Sequence, residues 1–410
     1  MSDWNFAAVW NGIAVIVPDR DALVCGDRRI TWAGFRDRAA RLARHLETSA
    51  GVGPGDRVAI DLTNRPEYLE AFYAALLLGA VPVNVNFRYT ANELRYLLEN
   101  SDAKAIVHGP EFTVAVDAAV TQLESARPPL RVEAGRPYEQ ALAASPADGW
   151  LPRPPSGDDL IFLYTGGTTG QPKGVMWRND DLYVALWVSA HPRVPDPPDP
   201  WAAARAGKRA ATLLPAAPLM HGTGLFAALA ALAGGGTIVL VDRQGLDPEA
   251  IWDTVAREHV EVLTIVGDVF ARPLLDVLDA QPERWDLTAL RAITSSGVLF
   301  SPAVKRGLLA HLPALTIVDS LGASEGLGPR NAARADDETI APARFSVTDR
   351  IRVVDEDTGR DVTPGSDEVG LVAMGGRIPI GYFKDPEKTA GTFRVFDGLR
   401  YSVPSASTVA

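Results

Sequence analysis

Residues 164–174 read Tyr164-Thr165-Gly166-Gly167-Thr168-Thr169-Gly170-Gln171-Pro172-Lys173-Gly174 and follow directly on the apolar run Leu160 to Tyr164. A buried strand leading into a glycine-rich turn that ends on a lysine is suited to anions. Glycines let backbone N–H groups crowd a phosphate, the hydroxyls of Thr165, Thr168 and Thr169 can donate hydrogen bonds, and Lys173 adds a compact positive charge. The frame is not G-x-x-x-x-G-K-[ST], because Pro172 stands where a glycine would precede the lysine and no Ser or Thr follows it; nor is it G-x-G-x-x-G. A flexible surface loop is the rival reading, yet such a loop requires neither the threonines nor the Pro-Lys-Gly ending.

Outward from this stretch, the chain alternates between short apolar runs and helical spacing. Residues 31–48 carry Phe35, Ala39, Leu42, Ala43 and Leu46 at helical intervals, then Gly53-Pro54-Gly55, then the run Val58 to Leu62. Thr90 and Glu93 form a T-x-x-E capping box ahead of Leu94, Leu97 and Leu98, with a strand over Ala105 to Val107. Further strands are predicted at Leu160 to Tyr164, Thr237 to Val241, Val260 to Val266, Leu290 to Thr294 and Leu315 to Val318, with helices near 248–258 and 302–311. This rhythm predicts an α/β fold of mainly parallel sheets covered by helices. Arg127 to Pro155 and Pro192 to Pro200, rich in Pro, Ala and Asp, read as surface loops. From about Ile351 short strands with turn signals predict a small β-rich unit.

Composition narrows the function classes. The 410 residues are 47% hydrophobic and 22% charged, enough for a sizeable core in two or three compact units. The formal charge of −11 repels nucleic acid and anionic membrane unless a local basic patch overrides it, which favours small-molecule partners. The single cysteine, Cys25, can form no internal disulfide or thiolate zinc cluster, and Met1 to Val17 lacks the basic segment of a signal peptide, so the cytoplasm is the expected compartment. Leu225 to Val241 is broken by Gly234, Gly235 and Gly236 and reads as helix, turn and strand rather than a membrane span. The six histidines show no paired-ligand spacing.

Three more segments bear on chemistry: Pro218-Leu219-Met220-His221-Gly222, Ser320-Leu321-Gly322-Ala323-Ser324-Glu325, and the stretch from Gly370-Leu371 through Gly381-Tyr382. Together with 164–174, they resemble the adenylate-forming superfamily, which includes acyl-CoA synthetases, adenylation domains and luciferases, in its phosphate-binding loop, P-L-x-H-x-x-G, Y-G-x-T-E and glycine-rich strand-pair segments. The order and spacing hold from about residue 20 to about residue 403. Val83 to Tyr89, Gly267 to Pro273 and Gly381 to Phe393 look most like actinobacterial acyl-CoA ligases acting on fatty, steroid side-chain or terpenoid acids. The resemblance implies the large N-terminal lobe of these enzymes, with two helix-covered sheets and a β-barrel-like subdomain, divided as residues 1–180, 181–340 and 341–410.

It also implies roles. Thr165, Gly166, Gly167, Thr168, Thr169, Gly170 and Lys173 would hold the β- and γ-phosphates of ATP, Ser324 would donate to the α-phosphate, and Glu325 would hold Mg²⁺. Ser296, Gly297 and Val298, with Ser320, Leu321 and Gly322, would border the adenine, Leu321 standing where many members place an aromatic residue; a plain turn at 296–298 is the alternative. His221 would orient the substrate carboxylate, the alternative being a structural donor. Gly222, Gly224, Phe226, Asp268 and Val269, with Ser296 and Gly297, would line the acyl pocket; core packing is the alternative for Phe226 and Val269.

Relatives in the superfamily continue through a hinge into a C-terminal domain that carries a catalytic lysine and most of the CoA-facing surface. The ribose-binding aspartate expected after Gly398 to Pro404 is replaced by Ser405-Ala406. The reading therefore expects an enzyme that forms an acyl-adenylate from ATP and a bulky hydrophobic acid, with CoA the cosubstrate of the complete enzyme and thioester formation failing in this chain alone. Its rivals are a protein that binds the acid or adenylate and passes it to a separate thioester-forming partner, and a shortened form without efficient catalysis. Oligomeric state stays open, a dimer included.

Overall fold

The computed structural model describes residues 3–124, 127–147, 153–166, 171–191, 193–194, 196–243, 245–340, 345, 350–356, 358–363, 365–404 and 408–409. Two large sheets dominate. In the seven-stranded sheet the order is 381–382, 173–178, 160–165, 81–84, 57–61, 103–108, 130–133, parallel from 160–165 onward and antiparallel at the two strands before it. The eight-stranded sheet runs 326–333, 316–323, 292–295, 262–265, 212–215, 237–240, 21–25, 28–31, with only its two outermost pairings antiparallel. A third, antiparallel sheet orders 351–354, 370–374, 399–402 and 393–396, and 408–409 also pairs with 370–374.

The α/β class and the mainly parallel sheets match the sequence reading. The C-terminal unit differs: among the described residues its sheet stays open, with no pairing that closes a barrel. Sheet membership also departs from the linear divisions at 180 and 340. The hairpin 21–31 extends the sheet built from 212–333, because the apolar Ala22, Leu23 and Val24 find a parallel neighbour in Thr237–Leu240; Gly381–Tyr382 joins the seven-stranded sheet. The segment 127–155, read as loop, contains the strand Leu130–Glu133 and the helix Arg136–Ala143. Proline and alanine richness hid two local patterns: Leu130 and Val132 alternate along an edge strand, and Tyr138 and Leu142 bury one helical face four residues apart.

The main core lies around the helix Pro66–Leu78, every residue of which is buried, as fits a sequence that is apolar on all sides apart from Glu67 and Glu70. Trp10, on the helix Phe6–Ile16, meets Tyr73 edge-on at 5.0 Å, and Phe35, on Trp32–Ala50, lies 5.0 Å from the same ring. The two acids on the buried helix are paired: Glu67 with Arg28 at 2.6 Å, and Glu70 with Arg38 at 2.7 Å and the Tyr138 hydroxyl at 2.8 Å. Thr90 and Glu93 make both bonds of the expected capping box, at 3.4 and 2.8 Å. No helix among the described residues is long and apolar enough to cross a membrane.

Asp61, at the end of strand Arg57–Asp61, is buried, and its Oδ1 accepts no hydrogen bond among the described residues. Desolvation, with Glu111 nearby, pushes its carboxyl up to about 7. A carboxyl raised in the folded state keeps its proton after the unfolded chain has lost it, so stability falls as pH rises from the unfolded value through the folded one. Asp61→Asn is therefore expected to raise stability at pH 8 by on the order of 1–3 kcal/mol, with a higher Tm, and to gain little at pH 4. Thermal melts at the two pH values check this; an equal gain at both would show that ionisation is not the cause.

Candidate active site

The parallel strands of each large sheet deliver the chemically marked segments at their carboxyl ends, where open α/β sheets place ligands. Thr165 ends its strand and Lys173 begins the next, and the two residues pair across the hairpin. In the eight-stranded sheet, Pro215, Ile265 and Ser295 end neighbouring strands, and Ala323 ends the next; 216–222, 266–269 and 296–298 follow directly, and 320–325 lies at the last strand's tip.

Asparagines and a tryptophan bind these segments together. The Asn84 side chain accepts from Tyr164 N at 2.5 Å and donates to Tyr164 O at 2.9 Å and Met220 O at 2.6 Å, joining the hairpin of Thr165 and Lys173 to the His221 segment. Asn64 donates to Pro215 O and Ala217 O at 2.8 and 3.1 Å and accepts from Leu219 N at 2.7 Å, which fixes the approach to His221. Trp177, on the hairpin's second strand, donates to Ser324 O at 2.9 Å and meets Phe226 edge-on at 6.4 Å. An ideal Cβ on Gly297, whose φ is +92°, would lie 3.8 Å from Thr223 Oγ1, which places the 296–298 turn over the start of helix Gly222–Ala233.

Lys173 is ion-paired with Asp385, and Glu325 Oε1 accepts from the Tyr382 hydroxyl at 2.7 Å. Among the described residues no three His, Cys, Asp or Glu side chains could hold a metal by themselves. Glu325 offers one carboxylate, and Mg²⁺ at phosphate sites commonly takes one or two carboxylates and fills its octahedron with phosphate oxygens and water. His221 precedes its helix with an extended backbone and an accessible side chain. Crowding by the surrounding protein, with the Arg88 charge second, lowers its imidazole pKa below the ordinary value, which favours the neutral ring.

Of the residues named from the sequence, Gly167, Thr168, Thr169 and Gly170 lie outside the described residues. Thr165, Gly166, Lys173, His221, Gly222, Ser296, Gly297, Val298 and 320–325 come to the strand ends described above. At Gly224 an ideal Cβ would sit 2.5 Å from the carbonyl oxygens of Ala217 and Pro218, so this glycine serves a close backbone contact. Phe226 is buried in the core and Val269 is 64% exposed. Asp268 accepts from Ser301 N at 2.9 Å and faces Arg272 at 3.6 Å, which ties helix Gly267–Ala280 to the segment before Pro302–His311.

Comparison with known proteins fits this geometry. The family described as "AMP-binding enzyme" matches residues 14–382. The chain belongs to this family. Among its curated relatives, the medium/long-chain-fatty-acid–CoA/3-oxocholest-4-en-26-oate–CoA ligase of Mycobacterium marinum is 38% identical over 406 residues, covering 95% of this chain and 73% of the relative. The 3-oxocholest-4-en-26-oate–CoA ligase of Rhodococcus rhodochrous is 37% identical over 417 residues, covering 95% and 72%. The solved N-terminal domain of FACL13 from Mycobacterium tuberculosis superposes with a TM-score of 0.79 at 23% identity, over 98% of each chain. Within the family frame, the residues that sequence reasoning missed are Asn64, Asn84, Trp177, Tyr382 and Asp385. Asn84 and Tyr382 stood inside stretches used only for resemblance, and the buried asparagine in the apolar run Val81-Pro82-Val83-Asn84-Val85 was the signal available.

Proposed function

We propose that the chain activates a bulky hydrophobic carboxylic acid, of the fatty, steroid side-chain or terpenoid type, by ATP- and Mg²⁺-dependent formation of an acyl-adenylate. The observation that supports this best is that the lysine of an anion-suited hairpin and a lone metal-competent carboxylate are held by the same short turn, 381–385, with His221 tied to the hairpin through Asn84. The fatty-acid and steroid side-chain classes follow the substrates named for two similar ligases, those of Mycobacterium marinum and Rhodococcus rhodochrous.

In this reading a carboxylate oxygen of the acid attacks the α-phosphorus of ATP, the bond to the β-phosphate oxygen breaks, and pyrophosphate leaves with that electron pair. The nucleophile is already ionised at neutral pH, so no general base is needed and the protein's task is orientation and charge neutralisation. Neutral His221 donates a hydrogen bond to the carboxylate and fixes its approach. Lys173 neutralises charge that grows on the leaving pyrophosphate. Glu325 would hold Mg²⁺, which supplies Lewis-acid neutralisation of phosphate oxygens.

Carboxylate-dependent ATP–pyrophosphate exchange with long-chain, steroid side-chain and diterpenoid acids tests the proposal. Exchange with at least one class is expected. No exchange with any of them, together with tight binding of a synthetic acyl-adenylate, would replace it with a binding role.

A further inference from the structure

We propose that the turn Gly381–Asp385 positions both charged groups assigned to the triphosphate, Tyr382 orienting Glu325 and Asp385 holding Lys173 as a counter-ion that ATP displaces. The inference rests on the functional reading above. It assigns positioning roles to two residues outside the marked phosphate segments.

The turn is fixed from several sides. Ile380 N donates to Met176 O at 2.9 Å and Phe383 N to Gly174 O at 2.8 Å, docking the turn on the strand that begins with Lys173. The Phe383 ring lies 4.9 Å from that of Phe162, and Lys384, in the left-handed region at φ +55°, reaches Asp102 at 2.7 Å. Thr389 Oγ1 accepts from Tyr382 N at 2.9 Å and donates to Asp385 O at 2.7 Å. An ideal Cβ on Gly381 would stand 2.6 Å from Thr389 Cγ2, so glycine is what lets this clamp close.

Two side chains leave this fixed turn toward the site. Asp385 divides its carboxylate: Oδ1 accepts from Lys388 N at 2.9 Å and caps the helix Pro386–Thr392, while Oδ2 meets Lys173 Nζ. Tyr382 donates its hydroxyl to Glu325. The two arms differ in kind. A neutral hydroxyl orients Glu325 and leaves its negative charge available to a cation. A full carboxylate on Lys173 holds the ammonium in place and cancels the charge that a triphosphate requires, so ATP competes with Asp385 for it.

The two arms can be separated by titrating the full chain with ATP, once with EDTA and once with Mg²⁺. Asp385→Asn keeps a good helix cap and removes the competing charge. It is expected to bind metal-free ATP about two- to fivefold more tightly, the range a half-exposed ion pair supplies, and to lose that gain when Lys173 is also Met. Tyr382→Phe is expected to leave metal-free affinity unchanged and to reduce the enhancement by Mg²⁺ about two- to fivefold. Asp385→Asn binding no more tightly than the parent, or gaining equally without Lys173, overturns the counter-ion assignment. Tyr382→Phe shifting both affinities alike overturns the orienting role. A parent chain that binds ATP under neither condition overturns the functional reading itself, a different result from a parent that binds while the variants show no difference.

Discussion

Lys173→Met is expected to lower carboxylate-dependent ATP–pyrophosphate exchange by about 10²–10³-fold, the usual cost of deleting one pre-positioned donor to developing charge. The side chain is well suited to that role. Its backbone is locked opposite Thr165 at the mouth of the hairpin, and its ammonium is held by an aspartate that is itself fixed by a helix cap. Once ATP has displaced that aspartate, the hairpin pairing still keeps the lysine's backbone in place, so little backbone rearrangement accompanies the build-up of charge on pyrophosphate. The same substitution should hardly change stability, because the lysine is 38% exposed and a pair of that kind contributes only about 0–1 kcal/mol. Exchange assays and thermal melts on one preparation check both halves. A variant that keeps exchange within a few-fold of the parent would remove Lys173 from the chemistry. One that loses exchange only in step with folding would make its role structural.

The sequence carried the strand-to-turn junctions well, because a short apolar run followed by glycine, proline or a capping box is a local signal with a local cause. Leu160–Thr165, Ile351–Val354 and the helix Pro302–His311 fall where periodicity places them. Sheet partnership was less legible. Nothing local to Asp21–Cys25 specifies that its parallel neighbour is Thr237–Leu240, more than two hundred residues away, and nothing in Gly381–Tyr382 specifies the edge of the first sheet. In the site, motif residues were legible as types, since lysine, histidine and glutamate advertise charge and protons. Their supports were not. Asn84, Trp177 and Tyr382 act through contacts made only after distant segments meet. At Gly224 the space where a Cβ would stand is filled by two carbonyl groups, a close contact that the sequence does not show.

Lys305→Met is expected to destabilise the fold by about 3–5 kcal/mol, the cost of leaving one partner of a buried ion pair uncompensated. Lys305 is fully buried on helix Pro302–His311, 2.5 Å from Asp319 Oδ2 on strand Thr316–Ala323, with the Phe300 ring 5.4 Å from its ammonium. Burial already pushes the Asp319 carboxyl above its ordinary value, and Lys305 opposes that shift. Without the lysine, the opposition is gone and the folded chain holds the Asp319 proton more tightly than the unfolded chain does. The variant's deficit should therefore shrink as pH falls from 8 to 5, because protonation neutralises the stranded group in the native state. Adding Asp319→Leu should recover much of the loss at pH 8, since an apolar pair often replaces a buried ion pair without penalty. The pair also bears on function: Asp319 directly precedes Ser320–Glu325, so a shift of this strand end would move Ser324 and Glu325 together. Exchange activity in Lys305→Met, measured well below its Tm, should fall while that of the double variant partly returns. Melts of the three proteins at pH 5 and pH 8 decide the case, and a deficit independent of pH would assign the loss to packing around the missing stem rather than to charge.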